Sequence, residues 1–266
     1  MITTTEKRKD GIALLLACSR INQIRNLANQ NSSVTVAELA QRFQVTAETI
    51  RRDLKQLEEE GSVVRVYGGA YSTSGVQNDV SVQLRENILP EEKQLIASRA
   101  LPFLHDGDSV FLDCSTTTLQ LASMLQEYTL TVITNSMRIA QELAAFPSIT
   151  LIQIGGRLHQ PSKSFLGDKA NRAMAEYYVD KSFVSCRSIS INHGISDSNE
   201  DQGAIRRLAI QHCDQAFLLA DHTKLGTTSF IHITDLSDVD TLVTDAPLSH
   251  EWRTALAAAE VTVIDS

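Results

Sequence analysis

Apolar positions recur with a helical period near the start of the chain. Ile21, Ile24, Leu27 and Ala28 follow the spacing that buries one face of an α-helix. This pattern predicts a first helix from Arg20 to Ala28.

Two further helices are predicted from capping residues and the apolar stripes that follow them. Thr35 and Glu38 have the spacing of a capping box, so a second helix begins there. Its buried face consists of Leu39, Ala40 and Phe43. After a short break, Thr46 caps a third helix that ends at Gly61. The apolar stripe of that third helix consists of Ile50, Leu54 and Leu57. Three short helices with a tight turn between the last two predict a helix-turn-helix.

A β-branched run follows the third helix and predicts a small hairpin. It extends from Ser62 to Ala70 and contains the adjacent glycines Gly68 and Gly69. This hairpin would be the wing of a winged helix-turn-helix. Residues 72–90 are rich in Ser, Asn, Gln and Asp, which is typical of a linker, and a helix from about Glu91 to Leu104 then opens a second domain.

Apolar runs alternate with helical patterns through the rest of the chain. Continuous Val, Ile and Leu runs separated by helices predict a mostly parallel sheet that is covered on both faces. The predicted strands are Ser109–Asp113, Thr131–Thr134, Thr150–Ile154, Lys181–Ser185, Gln215–Ala220, Thr241–Thr244 and Val261–Ile264.

The fold class is therefore α/β, with an N-terminal winged helix-turn-helix followed by a mostly parallel, Rossmann-like α/β domain. We divide the chain into an N-terminal extension (1–18), the winged helix-turn-helix (19–72), a linker (73–90) and the α/β domain (91–266). A length of 266 residues suits a small domain joined to a medium one.

The charge distribution changes what the net charge of −8 implies. Taken alone, an acidic chain argues against nucleic acid as a partner. Residues 1–75, however, hold ten Lys and Arg against eight Asp and Glu, so their net charge is +2 and that of the remainder is −10. A weakly basic N-terminal part on an acidic body suits a DNA-binding protein whose second domain does not touch DNA.

The four cysteines show no metal-binding or disulfide spacing, which favours a reducing cytoplasm. The composition is that of an ordinary globular protein with no transmembrane segment, so we expect no membrane as a partner. One alternative stays open at the N-terminus. Lys7-Arg8-Lys9 precede the apolar run 12–17 and Cys18, an order that resembles a lipoprotein signal. Because that run is short and abuts Asp10 and Gly11, we favour an extra segment that packs on the DNA-binding domain or frays.

The third helix presents a polar face that suits the major groove of DNA. At 100° per residue from Ile50, its outer face carries Glu48, Thr49, Arg52, Lys55 and Gln56, with Arg51 on the flank. We expect the N-terminal part of the helix, capped by Thr46, to read bases through Ala47, Glu48, Thr49 and Arg52, and phosphates to be held by Arg51, Lys55 and Arg65. The alternative is an ordinary solvated helix. Symmetric double-stranded operators imply a homodimer or homotetramer.

Polar clusters fall directly after several predicted strands. In an open parallel sheet, ligands bind outside the carboxyl ends of the strands, so these clusters should converge on one crevice. Hydroxyl and amide groups after the first strand favour an anion, and a lysine adds positive charge, so the chemistry suits a phosphate on a polar carbon chain. The alternative is that these residues only cap helices and turns. The candidate residues are Asp113, Ser115, Thr116, Thr117, Asn135, Gly155, Gly156, Arg157 and Lys224.

The third helix and the wing also carry a family resemblance. Residues 45–61, with the core Thr-Ile-Arg-Arg-Asp-Leu at 49–54, and Arg65–Ala70, which end in Gly-Gly-Ala, closely resemble the N-terminal signature of the DeoR family of bacterial repressors. The similarity extends from about Arg20 to the C-terminus. It implies a sensor related in fold to sugar-phosphate isomerases and a phosphorylated sugar or sugar-acid effector. The family's D-x-[GS]-[ST]-T turn, Thr-Asn pair, Gly-Gly pair and D-x-[ST]-K element all have matches here.

Two stretches depart from the family pattern. Residues 183–190 replace a glycine-containing stretch, and Gln202 stands where an acidic residue often precedes a Lys-Arg pair, here Arg206-Arg207. Arg187 or Arg206 is a candidate for binding a second acidic group of the effector, although either suits the protein surface equally well. The departures leave the identity of the effector open.

The leading hypothesis is a repressor of a carbohydrate-utilisation operon, without cofactor or metal, because His193 and His222 lack metal-ligand spacing. The alternative is a sugar-phosphate isomerase-like enzyme with a general base drawn from Asp113, Asp221 or Glu200. The fused DNA-binding domain argues against an enzyme. The direction of the effector's influence on DNA binding stays open.

Overall fold

The computed structural model of this protein describes residues 4–31, 33–66, 68–72 and 82–266. The chain divides into a first unit, residues 1–88, and a second unit, residues 89–266. Among the described residues, no helix is both long enough and apolar enough to cross a bilayer.

The first unit contains the three predicted helices and the predicted hairpin. Its elements are α1 (Thr4–Asn31), β1 (Ser33–Thr35), α2 (Val36–Phe43), α3 (Ala47–Glu59), β2 (Val63–Val66), β3 (Gly69–Ser72) and α4 (Val82–Glu86). Strands β2 and β3 pair antiparallel, and β1 adds to the other edge of β3. Gly68 lies at the turn with a φ of 88°, a left-handed conformation that favours glycine. The predicted wing is therefore present, and Gly69 begins its second strand.

The predicted caps set the boundaries of α2 and α3. The Thr35 hydroxyl accepts a hydrogen bond from the Glu38 amide, and Glu38 accepts one from the Thr35 amide. The Thr46 hydroxyl accepts from the Thr49 amide at the start of α3. Both helices bury their apolar stripes in one core with α1, including Ile24 and Ile50. Gln44 adopts the left-handed conformation between the two helices, which makes the tight turn.

The first helix is longer than its apolar pattern predicts. It begins at Thr4 rather than Arg20. The intervening run 12–17 consists of Ile, Ala and Leu, and Ala and Leu are among the strongest helix formers, while a single glycine such as Gly11 costs only about 1 kcal/mol. Residues 1–3 of the predicted extension and 73–81 of the predicted linker lie outside the described residues, and α4 occupies part of the remaining linker.

The second unit alternates strands and helices. Its elements are α5 (Pro90–Ala100), β4 (Ser109–Leu112), α6 (Thr116–Ala122), β5 (Leu130–Thr134), α7 (Met137–Leu143), β6 (Ile149–Gln153), β7 (Arg157–His159), β8 (Ser164–Leu166), α8 (Asp168–Met174), β9 (Val179–Val184), β10 (Ser188–Ser190), β11 (Gly194–Asp197), α9 (Glu200–Gln211), β12 (Cys213–Leu219), β13 (Ile231–Thr234), β14 (Thr241–Val243), α10 (His250–Ala258) and β15 (Thr262–Ile264).

All seven predicted strands form one parallel sheet, so the predicted fold class is confirmed. The strand order is β15-β14-β12-β9-β4-β5-β6. From β4 the chain first proceeds outward through β5 and β6, and then returns to the other side of β4 with β9 before continuing outward through β12. The order therefore reverses between β4 and β9. In sheets of this kind, the carboxyl ends of the two strands at such a switch point border the ligand-binding crevice.

Apolar side chains cover both faces of this sheet. Successive residues of β4 point to opposite faces, so Phe111 packs in one buried cluster and Val110 and Leu112 in the other. Phe183 of β9 stacks on Phe217 of β12, with ring centroids 4.7 Å apart. This two-sided burial explains why the strands are continuous apolar runs in the sequence.

Five short strands of the second unit do not appear among the predicted elements. Strands β7 and β8 form an antiparallel hairpin, and β10, β11 and β13 form a separate antiparallel sheet. Each has only three or four residues, which is too short to show an alternating pattern. The hairpin follows β6 and the small sheet follows β9, so both extend from strands at whose carboxyl ends a ligand is expected.

Candidate functional site

The outer face of α3 presents the predicted DNA-binding side chains. Glu48, Arg51, Arg52 and Lys55 are exposed, as is the capping residue Thr46. Ala47 and Thr49 are half-buried, and Thr49 also shares a hydrogen bond with Thr46 through their hydroxyls, 2.9 Å apart. Arg65 is exposed on β2 of the wing. Of the four positions expected to reach base edges, Glu48 and Arg52 are therefore open to solvent and the other two only partly so.

Most cations on this surface have a carboxylate neighbour. Nη1 of Arg51 lies 3.2 Å from Glu48, Nζ of Lys55 lies 3.8 Å from Glu59, and Nε of Arg65 lies 3.0 Å from Glu58. Exposed pairs of this kind contribute only about 0–1 kcal/mol, so a phosphate can replace the carboxylate at little cost.

Arg52 differs from the other cations of α3. It is exposed, and within the described part of the chain its guanidinium makes no ion pair. An arginine that is free of carboxylate neighbours can present both of its outer nitrogens to a guanine edge. The geometry therefore suits Arg52 for direct base contact.

A buried ion pair orients α3, and the sequence analysis did not single it out. Nε of Arg20 on α1 lies 2.6 Å from Oδ2 of Asp53, and Nη2 of the same arginine lies 3.1 Å from Oδ1. Asp53 is 5% exposed. The hydrogen bond that Arg20 donates to Asp53 raises the pKa of Arg20 above its usual value. Asp53 follows Arg52 directly, so the pair fixes the inner side of the helix whose outer side carries the base-reading candidates.

Asp113 lies at the switch point of the large sheet, directly after β4. Its Oδ1 accepts from the Ser115 amide at 2.9 Å, and its Oδ2 accepts from the Ser185 amide at 3.1 Å. Ser185 follows β9, so this carboxylate joins the ends of the two strands between which the order reverses. Asp113 is buried, and these two backbone hydrogen bonds fix the position of its carboxylate.

Arg206 of α9 is buried against two carboxylates. Its Nε lies 2.6 Å from Oδ2 of Asp113, and its Nη1 pairs with Asp197 at the end of β11. Arg206 is 2% exposed. Burial raises the pKa of Asp113, but the Arg206 charge and the hydrogen bonds from Arg206, Ser115 and Ser185 lower it more, so the pKa lies below its usual range. The sequence analysis placed Arg206 among effector-binding residues, and here its guanidinium is engaged by the protein itself.

The turn after β4 uses some of its hydroxyls and leaves others free. The Ser115 hydroxyl accepts from the Thr118 amide at 3.0 Å and caps α6. The Thr118 hydroxyl donates to the Asp113 carboxylate at 2.8 Å. Thr116 and Thr117 are buried, yet their hydroxyls make no hydrogen bond within the described residues. These two hydroxyls are the groups of this turn that remain for a ligand.

Asn135 follows β5 and offers an unpaired acceptor. Its Nδ2 donates to the Phe165 carbonyl at 3.2 Å, and this contact fixes the orientation of the amide. Asn135 is 0% exposed, and its Oδ1 has no hydrogen-bond partner. A buried acceptor without a partner costs about 1–3 kcal/mol, so a donor at this position stabilises it.

Gly155, Gly156 and Arg157 lead from β6 into β7, and all three are exposed. A Cβ on Gly156 would lie 2.9 Å from the Leu166 carbonyl oxygen, so only glycine allows the β7–β8 hairpin to approach here. Nη2 of Arg157 lies 2.7 Å from Oδ2 of Asp201 in the first turn of α9, and 78% of the Arg157 side chain is exposed.

Asp221 and Lys224 follow β12. Nζ of Lys224 lies 3.6 Å from Oδ2 of Asp221. Burial raises the pKa of Asp221, but the charge of Lys224, the Thr223 hydroxyl and the charge of Lys93 lower it more, so the carboxyl is ionised at neutral pH. A carboxyl with a lowered pKa, as in Asp221 and Asp113, is a weak general base.

The cysteine after β9 shows that these charges share one neighbourhood. Burial raises the pKa of the Cys186 thiol to about 12, and the charges of Lys224, Asp197, Arg206 and Asp221 all act on it. The contacts of Asp113 with Ser185 and Arg206, and of Arg206 with Asp197, join the ends of β4, β9 and β11, and Asp221 and Lys224 follow β12 at the same edge of the sheet. We call this group the switch-point cluster, and it comprises Asp113, Cys186, Asp197, Arg206, Asp221 and Lys224. Asn135 and Gly155 lie farther along the same edge, after β5 and β6.

Two family models match this chain and cover most of it. A DeoR-like helix-turn-helix domain matches residues 20–76, and a DeoR C terminal sensor domain matches residues 89–246. The chain belongs to the DeoR family. This DeoR-family protein is a DNA-binding transcriptional regulator with a small-molecule sensor domain, so the expectation of a regulator rather than an isomerase is confirmed.

Curated relatives agree with the family models over nearly the full length. An uncharacterized HTH-type transcriptional regulator, YulB, of Bacillus subtilis is 40% identical over 94% of this chain and 96% of its own. The HTH-type transcriptional repressor GlcR of the same species is 36% identical over 85% and 87%. A lactose phosphotransferase system repressor of Staphylococcus epidermidis is 30% identical over 85% and 91%.

Solved structures add a weaker likeness to this DeoR-family regulator. Ribose 5-phosphate isomerase A from Methanocaldococcus jannaschii matches 51% of this chain and 54% of its own, with a TM-score of 0.39 and 16% identity. We draw no conclusion about activity or ligand from a superposition at this level.

The sequence analysis missed three acidic residues of this regulator that now have defined contacts. Asp53 is paired with Arg20, Asp197 with Arg206, and Asp201 with Arg157. Asp53 lies on the buried side of α3, and a charged residue on an apolar helix face is a signal that could have indicated a buried pair. No comparable signal marks Asp197 or Asp201. In the described part of the chain, no group of three His, Cys, Asp or Glu side chains could hold a metal ion.

Proposed function

We propose that this DeoR-family regulator represses a carbohydrate-utilisation operon and that a phosphorylated sugar or sugar acid controls it. The observation that carries the proposal is the arrangement of the switch-point cluster at the carboxyl edge of a parallel sheet, in a chain that also presents a polar recognition helix. One relative, the lactose phosphotransferase system repressor of Staphylococcus epidermidis, supports a carbohydrate context.

Free polar groups at the sheet edge define what the effector would meet. The hydroxyls of Thr116 and Thr117 and the Oδ1 of Asn135 are available to the hydroxyls of a carbon chain. Lys224, which is partly exposed, supplies a positive charge for a phosphate. A phosphorylated polyhydroxy compound satisfies both kinds of group at once.

Other predicted effector residues hold the site in shape. Ser115 caps α6, and Arg206 and Asp113 neutralise each other in the interior. Gly156 allows the β7–β8 hairpin to approach closely, Gly155 precedes it in the turn, and Arg157 is exposed at the start of β7. We therefore propose direct ligand contacts for Thr116, Thr117, Asn135 and Lys224, and positioning roles for the others.

Control of DNA binding would follow from a coupling free energy between the two parts of the chain. We propose that residues 19–72 bind one operator half-site and that residues 91–266 bind the effector. Two such chains in a homodimer or homotetramer would match a symmetric operator, whose half-sites lie about 34–36 Å apart or at multiples of that distance. The regulator would have one state that binds the operator and one that does not. The effector changes operator affinity only as far as it binds these two states with different affinity.

The direct experiment is a gel shift with the full-length protein and the intergenic DNA upstream of its own gene, at fixed salt. A panel of phosphorylated sugars and sugar acids is tested together with their unphosphorylated forms. We expect specific binding that one phosphorylated compound relieves or strengthens, while its unphosphorylated form has no effect. Specific DNA binding that no member of the panel changes would contradict the proposed effector class, and absence of specific binding would contradict the repressor.

A further inference from the structure

The chain just after the carboxyl end of β9 carries an arginine, Arg187, with which no carboxylate pairs among the described residues. Arg187 follows Ser185, whose amide donates to Asp113, and Cys186, which lies among the charges of the switch-point cluster. Its own amide donates to the Ser196 carbonyl at 3.1 Å, so its backbone is fixed against β11. The residue is half-buried, and among the described residues no acidic side chain forms an ion pair with it.

The other three cations proposed for this sheet edge each lie beside a carboxylate. Arg206 is shared between two aspartates, and Lys224 lies beside Asp221. Arg157 is paired with Asp201. The pair of Lys224 with Asp221 is loose, at 3.6 Å, and the lysine is partly exposed, so Lys224 can still bind one acidic group of the effector. A second acidic group needs another cation.

Arg187 meets that need, whereas Arg206 does not. Withdrawing Arg206 toward a ligand would leave Asp113 and Asp197 buried without a counter-charge, which is strongly unfavourable. Arg187 compensates no buried carboxylate among the described residues. Its planar guanidinium can bind a carboxylate through two parallel hydrogen bonds.

We propose that Arg187 binds a carboxylate of the effector, so that the effector is a phosphorylated sugar acid rather than a neutral phosphorylated sugar. The inference rests on the proposed function, because it assumes that the switch-point cluster is the effector site. It deepens that proposal by assigning one end of the ligand to Lys224 and Thr116 and the other end to Arg187. The position also belongs to the stretch 183–190, in which this chain departs from the family pattern.

The test compares matched ligand pairs by isothermal titration calorimetry on the full-length protein. Each pair contains an aldose phosphate of five or six carbons and the aldonate phosphate made by oxidising its aldehyde. For the wild type, we expect one aldonate phosphate to bind at least about 10-fold more tightly than its aldose partner, since a charge-assisted contact is worth about this much.

The variant Arg187→Gln should reduce that preference to within about 2-fold and leave the affinity for the aldose phosphate unchanged. Arg187→Lys should restore part of the preference, because it keeps the charge but not the paired hydrogen bonds. Arg172→Gln, which changes an exposed arginine of α8, is the matched control and should behave as the wild type. Unchanged operator binding and circular dichroism verify that each variant is folded.

Two results would overturn the inference and distinguish it from the proposed function. If both members of a pair bind equally, or if Arg187→Gln keeps the full preference, the carboxylate assignment is wrong while the effector site stands. If no phosphorylated compound of either kind binds, the proposed function itself is wrong, and the inference is wrong with it.

Discussion

One arginine of the first unit and one of the second have opposite environments. Arg52 on α3 stands on an exposed helix face without an ion pair in the described residues, whereas Arg206 on α9 is buried between Asp113 and Asp197. An exposed guanidinium can exchange water for a phosphate or a base edge, but a buried one cannot leave two carboxylates uncompensated. The comparison teaches that a cation near a predicted site can contact a ligand only if the protein has not buried it between carboxylates.

The largest expected effect tests the buried side of this comparison. We expect Arg206→Ala to destabilise the second unit by about 3–5 kcal/mol, because it leaves two buried carboxylates without a partner. Urea unfolding can follow this unit alone through the fluorescence of Trp252, since the chain has a single tryptophan and it lies on α10. The stability of Arg206→Lys should lie between that of the wild type and that of Arg206→Ala. A loss below about 1 kcal/mol for Arg206→Ala would show that the pair is not structural.

The variant Arg52→Ala tests the role of the exposed arginine in this comparison. We expect specific operator affinity to fall by about 10- to 100-fold, which corresponds to one base contact of about 1–3 kcal/mol, while binding to unrelated DNA changes little. Lys55→Ala is the comparison, because loss of a phosphate contact weakens binding to all sequences and lowers the salt dependence by about one unit. Equal losses on operator and unrelated DNA for Arg52→Ala would assign Arg52 to the phosphates instead.

Arg20→Ala sharpens the comparison within the first unit. Its partner Asp53 is buried on the inner side of α3, so we expect a loss of about 1.5–3 kcal/mol in stability of this unit, monitored by circular dichroism. Operator affinity should fall even where the protein remains folded, because α3 loses a contact that orients it. Arg42→Ala, at an exposed position of α2, is the control for stability. A variant with wild-type stability and wild-type operator affinity would show that the pair orients nothing.

The smallest expected effect is that of Arg157→Ala. Because 78% of the side chain is exposed, its pair with Asp201 should contribute no more than about 1 kcal/mol, in contrast to Arg206 in the same unit. The same unfolding experiment by Trp252 fluorescence measures it. A loss comparable to that of Arg206→Ala would contradict the distinction between exposed and buried pairs.

The main elements could be predicted because local sequence determines them. Each strand of the large sheet is an apolar run buried on both faces, and α2 and α3 begin at capping residues whose contacts are local. The short strands could not be predicted, because their pairing depends on distant partners. Strand β11, for example, pairs with β13, which lies more than thirty residues later in the chain.

The place of the candidate site could be predicted better than the roles of its side chains. Asp113, Asn135 and Lys224 follow strands, and the strand order brings their positions to one edge. Whether Arg206 faces a ligand or the interior depends on how α9 packs and on Asp197, which belongs to no motif in the sequence. Electrostatic partners distant in sequence decide such roles, and periodicity carries no information about them.

The most direct test of a DNA-binding unit controlled by an effector unit is the operator affinity of the wild type and Lys224→Ala, measured by fluorescence anisotropy with and without the identified effector. We predict that the effector shifts wild-type affinity by about 5- to 150-fold, the usual range of such coupling. Lys224→Ala should bind the operator as the wild type does and show no shift. A folded Lys224→Ala that loses operator binding, or one that keeps the full shift, would contradict the account.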